Sequence, residues 1–194
     1  MRTQQRWTIL ILLGALFAGL LITQAAPVFA AEKSIIWEAF DVDIQVNANG
    51  AFDVTEHQAI RFLNGAFTFG YRSIPKRNLS YIDNWAMTDA SGNIYTQAAG
   101  GNAPYTFVVD DTGGQDEVRG YFPSTTTPET YNLSYTVHDG LRYYPDGDQL
   151  WWKAVYGDRN YPVLSSRVRV LLPSPGRCTR PPPWGGPVAG ASTR

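Results

Sequence analysis

Residues 35–62 read IIWEAFDVDIQVNANGAFDVTEHQAIRF. From Phe40 the first half alternates, with Phe40, Val42, Ile44 and Val46 on one face and Asp41, Asp43 and Gln45 on the other. A period of two with β-branched and aromatic residues predicts a half-buried strand. Asn47-Ala48-Asn49-Gly50 is a turn, because Asn-Gly reaches positive φ cheaply. Ala51–Phe62 then returns as the second arm of a hairpin. In that arm Phe52, Val54, Glu56, Gln58, Ile60 and Phe62 share a face, which puts Glu56 among apolar neighbours.

The alternation continues outward from this hairpin. Strands are expected over Ala66–Ile74, Leu79–Thr88, Ile94–Gln97, Tyr105–Asp110, Thr130–His138, Gln149–Val155 and Ser166–Leu172. Asp89–Asn93 is read as a turn and Ala98–Pro104 as a loop. Asp111–Arg119 is read as a polar turn, Gly120–Phe122 as a short run and Pro123–Pro128 as a linker. The one helical turn is expected near Tyr156–Tyr161. Turn signals recur about every ten residues, which points to an antiparallel β-sandwich of eight or nine strands. Aromatic residues form 13% of the chain, a composition that suits pleated surfaces.

The N-terminus carries a different pattern. Arg2 and Arg6 precede a fifteen-residue apolar run, Thr8–Ile22, followed by TQAAPVFA. Val28 and Ala30 stand at the −3 and −1 positions of a cut between Ala30 and Ala31, the tripartite layout of a signal peptide. A signal helix is therefore expected over residues 1–30. The run spans roughly 22 Å as a helix, against roughly 30 Å of hydrocarbon. No charge occurs between Trp7 and Ala31, so anchoring in the cytoplasmic membrane through residues 7–31 is the alternative. Both readings leave Arg2 and Arg6 inside and send the domain outside.

The far end changes composition at Pro173. Residues 174–194 are rich in Pro and Gly, have no period, and are expected to lack a packed core. The abruptness of the change also fits a shift of reading frame there. Residues 31–173 are thus the expected domain.

Composition narrows function. Of 16 Lys+Arg, Arg2 and Arg6 fall in the leader, leaving 14 against 17 Asp+Glu. That weakly acidic balance gives no footprint for nucleic acid. Cys178 is the one cysteine, and His57 and His138 are the two histidines. They form no metal spacing, and no cofactor is implied. Motifs for a serine nucleophile elbow, a phosphate loop or a zinc protease are absent. Asp146-Gly147-Asp148 has two acids at alternate positions, as a calcium loop does, but a Pro-Asp-Gly turn accounts for it.

Three constellations remain. Glu56 reads either as a carboxylate of raised pKa or as a paired, structural one, and the paired reading is preferred. Trp151 and Trp152, with Tyr143, Tyr144 and Tyr156, form a candidate aromatic platform for a sugar. Neighbouring strand residues point to opposite faces, so one Trp is expected in the core and the other outside. A hydrolase would need Glu56 with Asp110 or Asp111, two carboxylates roughly 5–9 Å apart in a cleft. The preferred function is a non-catalytic binding or structural module, with an unidentified protein or the cell wall as partner.

The order of motifs carries a resemblance. The hairpin IQVNANGAFDVTEHQAIRF (44–62) is followed by FTFGYRSIP (67–75), then by Tyr135-Thr136-Val137, LWW at 150–152, Tyr161-Pro162, and VRVLLP at 168–173. Over residues 35–173 this resembles the N-terminal extracytoplasmic domain of the bacterial predicted membrane proteins in the domain-of-unknown-function 2207 family. The resemblance implies a β-rich domain outside the cytoplasmic membrane, followed in the family by transmembrane helices. It implies no activity. Glu56 and Arg72 fall on its recurring positions, where Arg72 is expected to pair with Glu56 across strands.

Overall fold

The computed structural model describes residues 32–157 and 159–173. The expected signal segment with its cut at Ala30 and Ala31, and the Pro/Gly-rich tail, lie outside the described residues. The rest is all-β. Eleven strands are present among the described residues: β1 (Ser34–Val46), β2 (Phe52–Asn64), β3 (Phe67–Pro75), β4 (Tyr81–Asp89), β5 (Ile94–Gln97), β6 (Thr106–Asp111), β7 (Gln115–Thr125), β8 (Glu129–His138), β9 (Leu141–Arg142), β10 (Gln149–Leu150) and β11 (Val168–Leu171). Nine form one sheet in the order β11-β1-β2-β8-β4-β5-β6-β7-β3, and β9 pairs with β10.

The hairpin at 35–62 forms as its pattern predicts. Val42 lies opposite Glu56, and Val46 opposite Phe52. Gly50 takes a φ of 87° in the connecting turn, a conformation that costs glycine little. Phe40, Val42, Ile44, Phe52 and Val54 are buried.

The sheet is mixed, which corrects the purely antiparallel expectation. Strand β11 runs parallel to β1, and β5 parallel to β6. Parallel neighbours need a crossing connection. Residues 159–167 lead into β11 along the edge of β1, where Trp37 N–H donates to Pro162 O and Leu164 N–H to Trp37 O. Residues 98–105 connect β5 to its parallel neighbour β6.

Three further expectations are corrected. The polar turn at 111–119 shrinks to 112–114, because β7 begins at Gln115 and runs through Gly120–Phe122 into the expected linker. Its inward positions are Asp116, Val118, Gly120 and Phe122, and two of the four are not apolar, which hid the period. Gln149–Val155 keeps strand geometry only at Gln149–Leu150. Among the described residues of Tyr156–Tyr161 no helical turn forms.

The narrowest pairings hold the halves of the sheet together. Strand β5 meets β4 through two residue pairs and β6 through two. On either side, β11-β1-β2-β8-β4 and β6-β7-β3 face each other. The ring of Phe122 on β7 stacks on Tyr131 of β8 at 4.9 Å, and Phe62 of β2 packs on Phe67 of β3 at 5.1 Å. The core fills the space between. The opposite face of the first half is a polar ladder: Arg169 donates to Asp43, and His57 bonds Asn132, which donates to Thr88.

Candidate functional site

The register of β2 dictates the site's centre. Val54 and Glu56 both point inward, so the hairpin that builds the core also delivers a carboxylate to it. Glu56 is 0% exposed. An isolated buried carboxylate would be very costly, and it persists only when paired and hydrogen-bonded. Arg72, inward on β3, supplies the pairing. Its Nε lies 3.0 Å from both carboxylate oxygens and its Nη2 lies 2.9 Å from Oε1. Tyr135 Oη on β8 donates to Oε1 at 3.0 Å, and Gln58 Nε2 donates to Oε2 at 3.0 Å. Arg72 Nη1 is tied to the Ser73 carbonyl.

The electrostatics follow from this geometry. Burial works to lower the Arg72 pKa, but the adjacent carboxylate outweighs it and holds the guanidinium above its ordinary value. Burial drives the Tyr135 phenol well up, and the Glu56 charge adds to the effect. The Arg72 guanidinium also lies over the Tyr156 ring at 4.7 Å and the Phe40 ring at 5.8 Å. The preferred paired reading of Glu56 holds. Its partner comes from the facing half of the sheet, not from a neighbouring strand.

Beside this pair a cleft of about 570 Å³ opens between the halves. Its walls include Ile35, Ile60, Phe62 and Phe67, and its floor Met87, Phe122 and Leu133. Arg72, Gln58, Tyr156 and Arg159 also line it. The Arg159 guanidinium lies 4.8 Å over the Trp37 ring and 4.3 Å over Phe40.

The aromatic platform does not assemble as a unit. Trp152 turns inward, with its ring 5.3 Å from Phe52 and 6.2 Å from Tyr135. Tyr143 packs on the core, and Tyr156 lies on Arg72. Trp151 is 69% exposed and Tyr144 is exposed. The division of the Trp pair is as expected, though residues 151–155 are irregular and not a strand. Asp146 and Asp148 are exposed on a turn closed by Gly147 N–H to Tyr144 O. Asp111 is bound by Lys76 Nζ at 2.6 Å, and that ammonium also reaches Asp116 at 3.2 Å. Of the carboxylates named for hydrolysis, Glu56 is engaged by Arg72 and Asp111 by Lys76, while Asp110 is exposed on β6. Among the described residues no group of three His, Cys, Asp or Glu side chains gathers as metal ligands would.

Sequence reasoning missed Arg159 and the cleft. Arg159 sits on an irregular segment with no period to read. The cleft depends on two sheet halves meeting, a long-range relation that no local pattern encodes. Gln58 and Tyr135 were legible in part, since both fall on inward positions of confidently patterned strands.

Comparison with known proteins adds a family and little else. The family model described as "Predicted membrane protein (DUF2207) N-terminal domain" matches residues 37–192. No curated protein matches the chain. Among solved structures, a Parabacteroides distasonis protein with a provisional protease description is similar at 12% identity and a TM-score of 0.32. That likeness covers 57% of this chain and spans only 24% of the other.

Proposed function

Because the chain belongs to the DUF2207 family of predicted membrane proteins, we propose that it is a non-catalytic binding or structural module displayed outside the cytoplasmic membrane. The observation that carries this reading is the state of Glu56. A general acid or base must reach a substrate proton. Glu56 is buried and bonded by Arg72, Tyr135 and Gln58. Such a group organises a core. We further read the doubled-over sheet as a two-layer β-sandwich, with β5 as the strand that passes between layers. The Arg2, Arg6 and Thr8–Ile22 pattern supports export, with residues 7–31 as signal or anchor. Among the described residues no helix is long and apolar enough to cross a membrane.

Two measurements test the reading. In intact cells, a membrane-impermeant maleimide should label Cys178 from outside. Labelling that appears only after lysis would overturn the topology. A panel of ester, peptide and glycoside substrates should show no turnover. Turnover that disappears in Glu56→Gln while the fold is retained would make the module an enzyme.

A second reading rests on Trp151. A tryptophan left largely in solvent favours a glycan or cell-wall contact. A peptidoglycan pull-down that is lost in Trp151→Ala would favour it.

A further inference from the structure

The two poles of the domain differ in charge. At one pole β1 and β3 begin and β2 and β7 end: Ser34 lies opposite Asn64, and Phe67 opposite Thr125. The Phe62–Phe67 contact brings both halves of the sheet to this pole. Asn102 and Pro104 join it, lining a recess with Thr68, Phe69 and Ser124. The stretches that supply the pole, 62–71, 90–109 and 120–128, hold no Asp, Glu, Lys or Arg. Those four residue types form 17% of the whole chain, so the depletion belongs to the pole and not to the protein. The acids that border it, Asp89 and Glu129, accept bonds from Asn93 and from the Thr130 amide. The opposite pole, where Pro75 meets Gln115 and Tyr81 meets His138, carries Lys76, Arg77, Asp111, Asp139 and Arg142.

Two further observations concern the uncharged pole. Leu63, Phe69 and Tyr105 are exposed there, and exposed apolar groups gathered at one end mark a contact surface. The chain also enters the domain at this pole. Lys33 Nζ donates to Ala66 O at 2.6 Å, and Asn64 Nδ2 donates to Glu32 O at 2.7 Å. The stretch without charge between Trp7 and Ala31 is therefore joined to the domain here.

We propose that this pole rests on the lipid bilayer, with Leu63, Phe69 and Tyr105 at the boundary between headgroups and acyl chains. The proposal rests on the reading of residues 7–31 as an anchor and adds the direction in which the domain faces. Charged side chains resist the dehydration that such contact imposes, and the pole carries none on its loops. Tyrosine and apolar side chains are the groups that gain at the interface. A tethered domain meets the bilayer at high effective concentration, so a small contact is enough. The pole has no cluster of Lys and Arg, so its partner is the neutral interface and not an anionic headgroup.

The test uses the full chain in phosphatidylcholine nanodiscs. Cys178→Ser removes the native thiol, and Leu63→Cys or Arg77→Cys then carries an NBD fluorophore at one pole or the other. Doxyl-labelled phosphatidylcholine should quench the fluorophore at 63 about threefold more than the one at 77. That ratio should hold when about a third of the lipid is phosphatidylglycerol. Tyr105→Asp puts a charge on the pole and should cut quenching at 63 about fivefold. Aspartate adopts the left-handed backbone of residue 105, where φ is 60°, more readily than tyrosine does. Phe69→Ala removes apolar area without adding charge and should cut quenching about twofold.

Stronger quenching at 77 would overturn the proposal, because the far pole, where β11 ends beside Gln45, would then face lipid. A blue-shifted fluorophore at 63 that doxyl lipid leaves unquenched would also overturn it, since a second copy would then cover the pole. Quenching that requires anionic lipid would do the same. Co-elution of chain and disc scores the anchor by itself. A chain that stays with the disc while residue 63 escapes quenching defeats this proposal and leaves the anchored reading standing.

Discussion

Glu56 on β2 and Arg72 on β3 are sixteen residues apart in sequence and have five strands between them in the sheet, yet they share a bidentate ion pair. Only a sheet that doubles over can bring them together. The pair therefore reports the closure of the two halves, and it stands at the boundary between the sealed core and the open cleft.

Breaking that pair should be costly and replacing it should not. Glu56→Gln or Arg72→Met leaves a buried charge without its partner, a change that costs about 3–5 kcal/mol. The double variant Glu56→Leu/Arg72→Met removes both charges at similar volume and should recover most of that loss. Urea unfolding followed by tryptophan fluorescence measures all three. A double variant no more stable than the singles would mean that the pair does more than satisfy itself.

Two glycines contact the core at different costs. A Cβ on Gly120 would lie 2.5 Å from Met87 Sδ and Cε, the mobile end of a flexible side chain. A Cβ on Gly140 would lie 2.6 Å from the Phe52 ring, which is fully buried. Overpacking a rigid site costs about 1–3 kcal/mol. Gly140→Ala should reach that range and Gly120→Ala should fall below it, with Met87→Ala relieving what Gly120→Ala costs. Equal losses at the two positions would contradict this difference in compliance.

Gly120 also shows why part of the fold was hidden. Strands β1 (from Phe40), β2 and β8 alternate, so their existence was readable from the period, whereas β4 changes phase at an irregularity between Asp83 and Ala86. Strand β7 was not readable, because Asp116 and Gly120 occupy inward positions where an apolar residue was sought. Asp116 is held there by Lys76, and Gly120 makes room for Met87. Neither reason is local. The same holds for the site: the period placed Glu56 inside, the family resemblance pointed to Arg72, and nothing in the sequence placed Arg159. At 149–155 strand propensity lost to packing, since Trp152 docks on Phe52 and Tyr135.

The adjacent tryptophans should separate in a simple experiment. Trp152→Ala removes a ring packed on Phe52 and Tyr135 and should cost about 3 kcal/mol. Trp151→Ala should fall within about 0.5 kcal/mol of the parent, as exposed positions do. Thermal melts check both. Iodide should quench the fluorescence contributed by Trp151 and spare that of Trp152.

Alkali should unfold the domain through its buried tyrosines. Burial pushes the phenols of Tyr95, Tyr131 and Tyr135 far up, with the Asp89 charge adding for Tyr95 and the Glu56 charge for Tyr135. An unfolded tyrosine titrates near pH 10. Below that pH both states hold the proton and stability is unaffected. Above it the unfolded chain loses protons that the folded chain keeps, so stability falls as pH rises. The slope approaches roughly 1.4 kcal/mol per pH unit for each group, or about 4 for the three together. Asp43 and Asp111 act at the other limit. Arg169 and Lys76 respectively hold them below the usual carboxylate range, so their contribution is present above about pH 4 and is lost in acid. Urea midpoints between pH 9.5 and 11.5 should trace the alkaline fall, and Tyr131→Phe should reduce its slope by about a third. An unchanged slope in that variant would mean that Tyr131 titrates alike in both states.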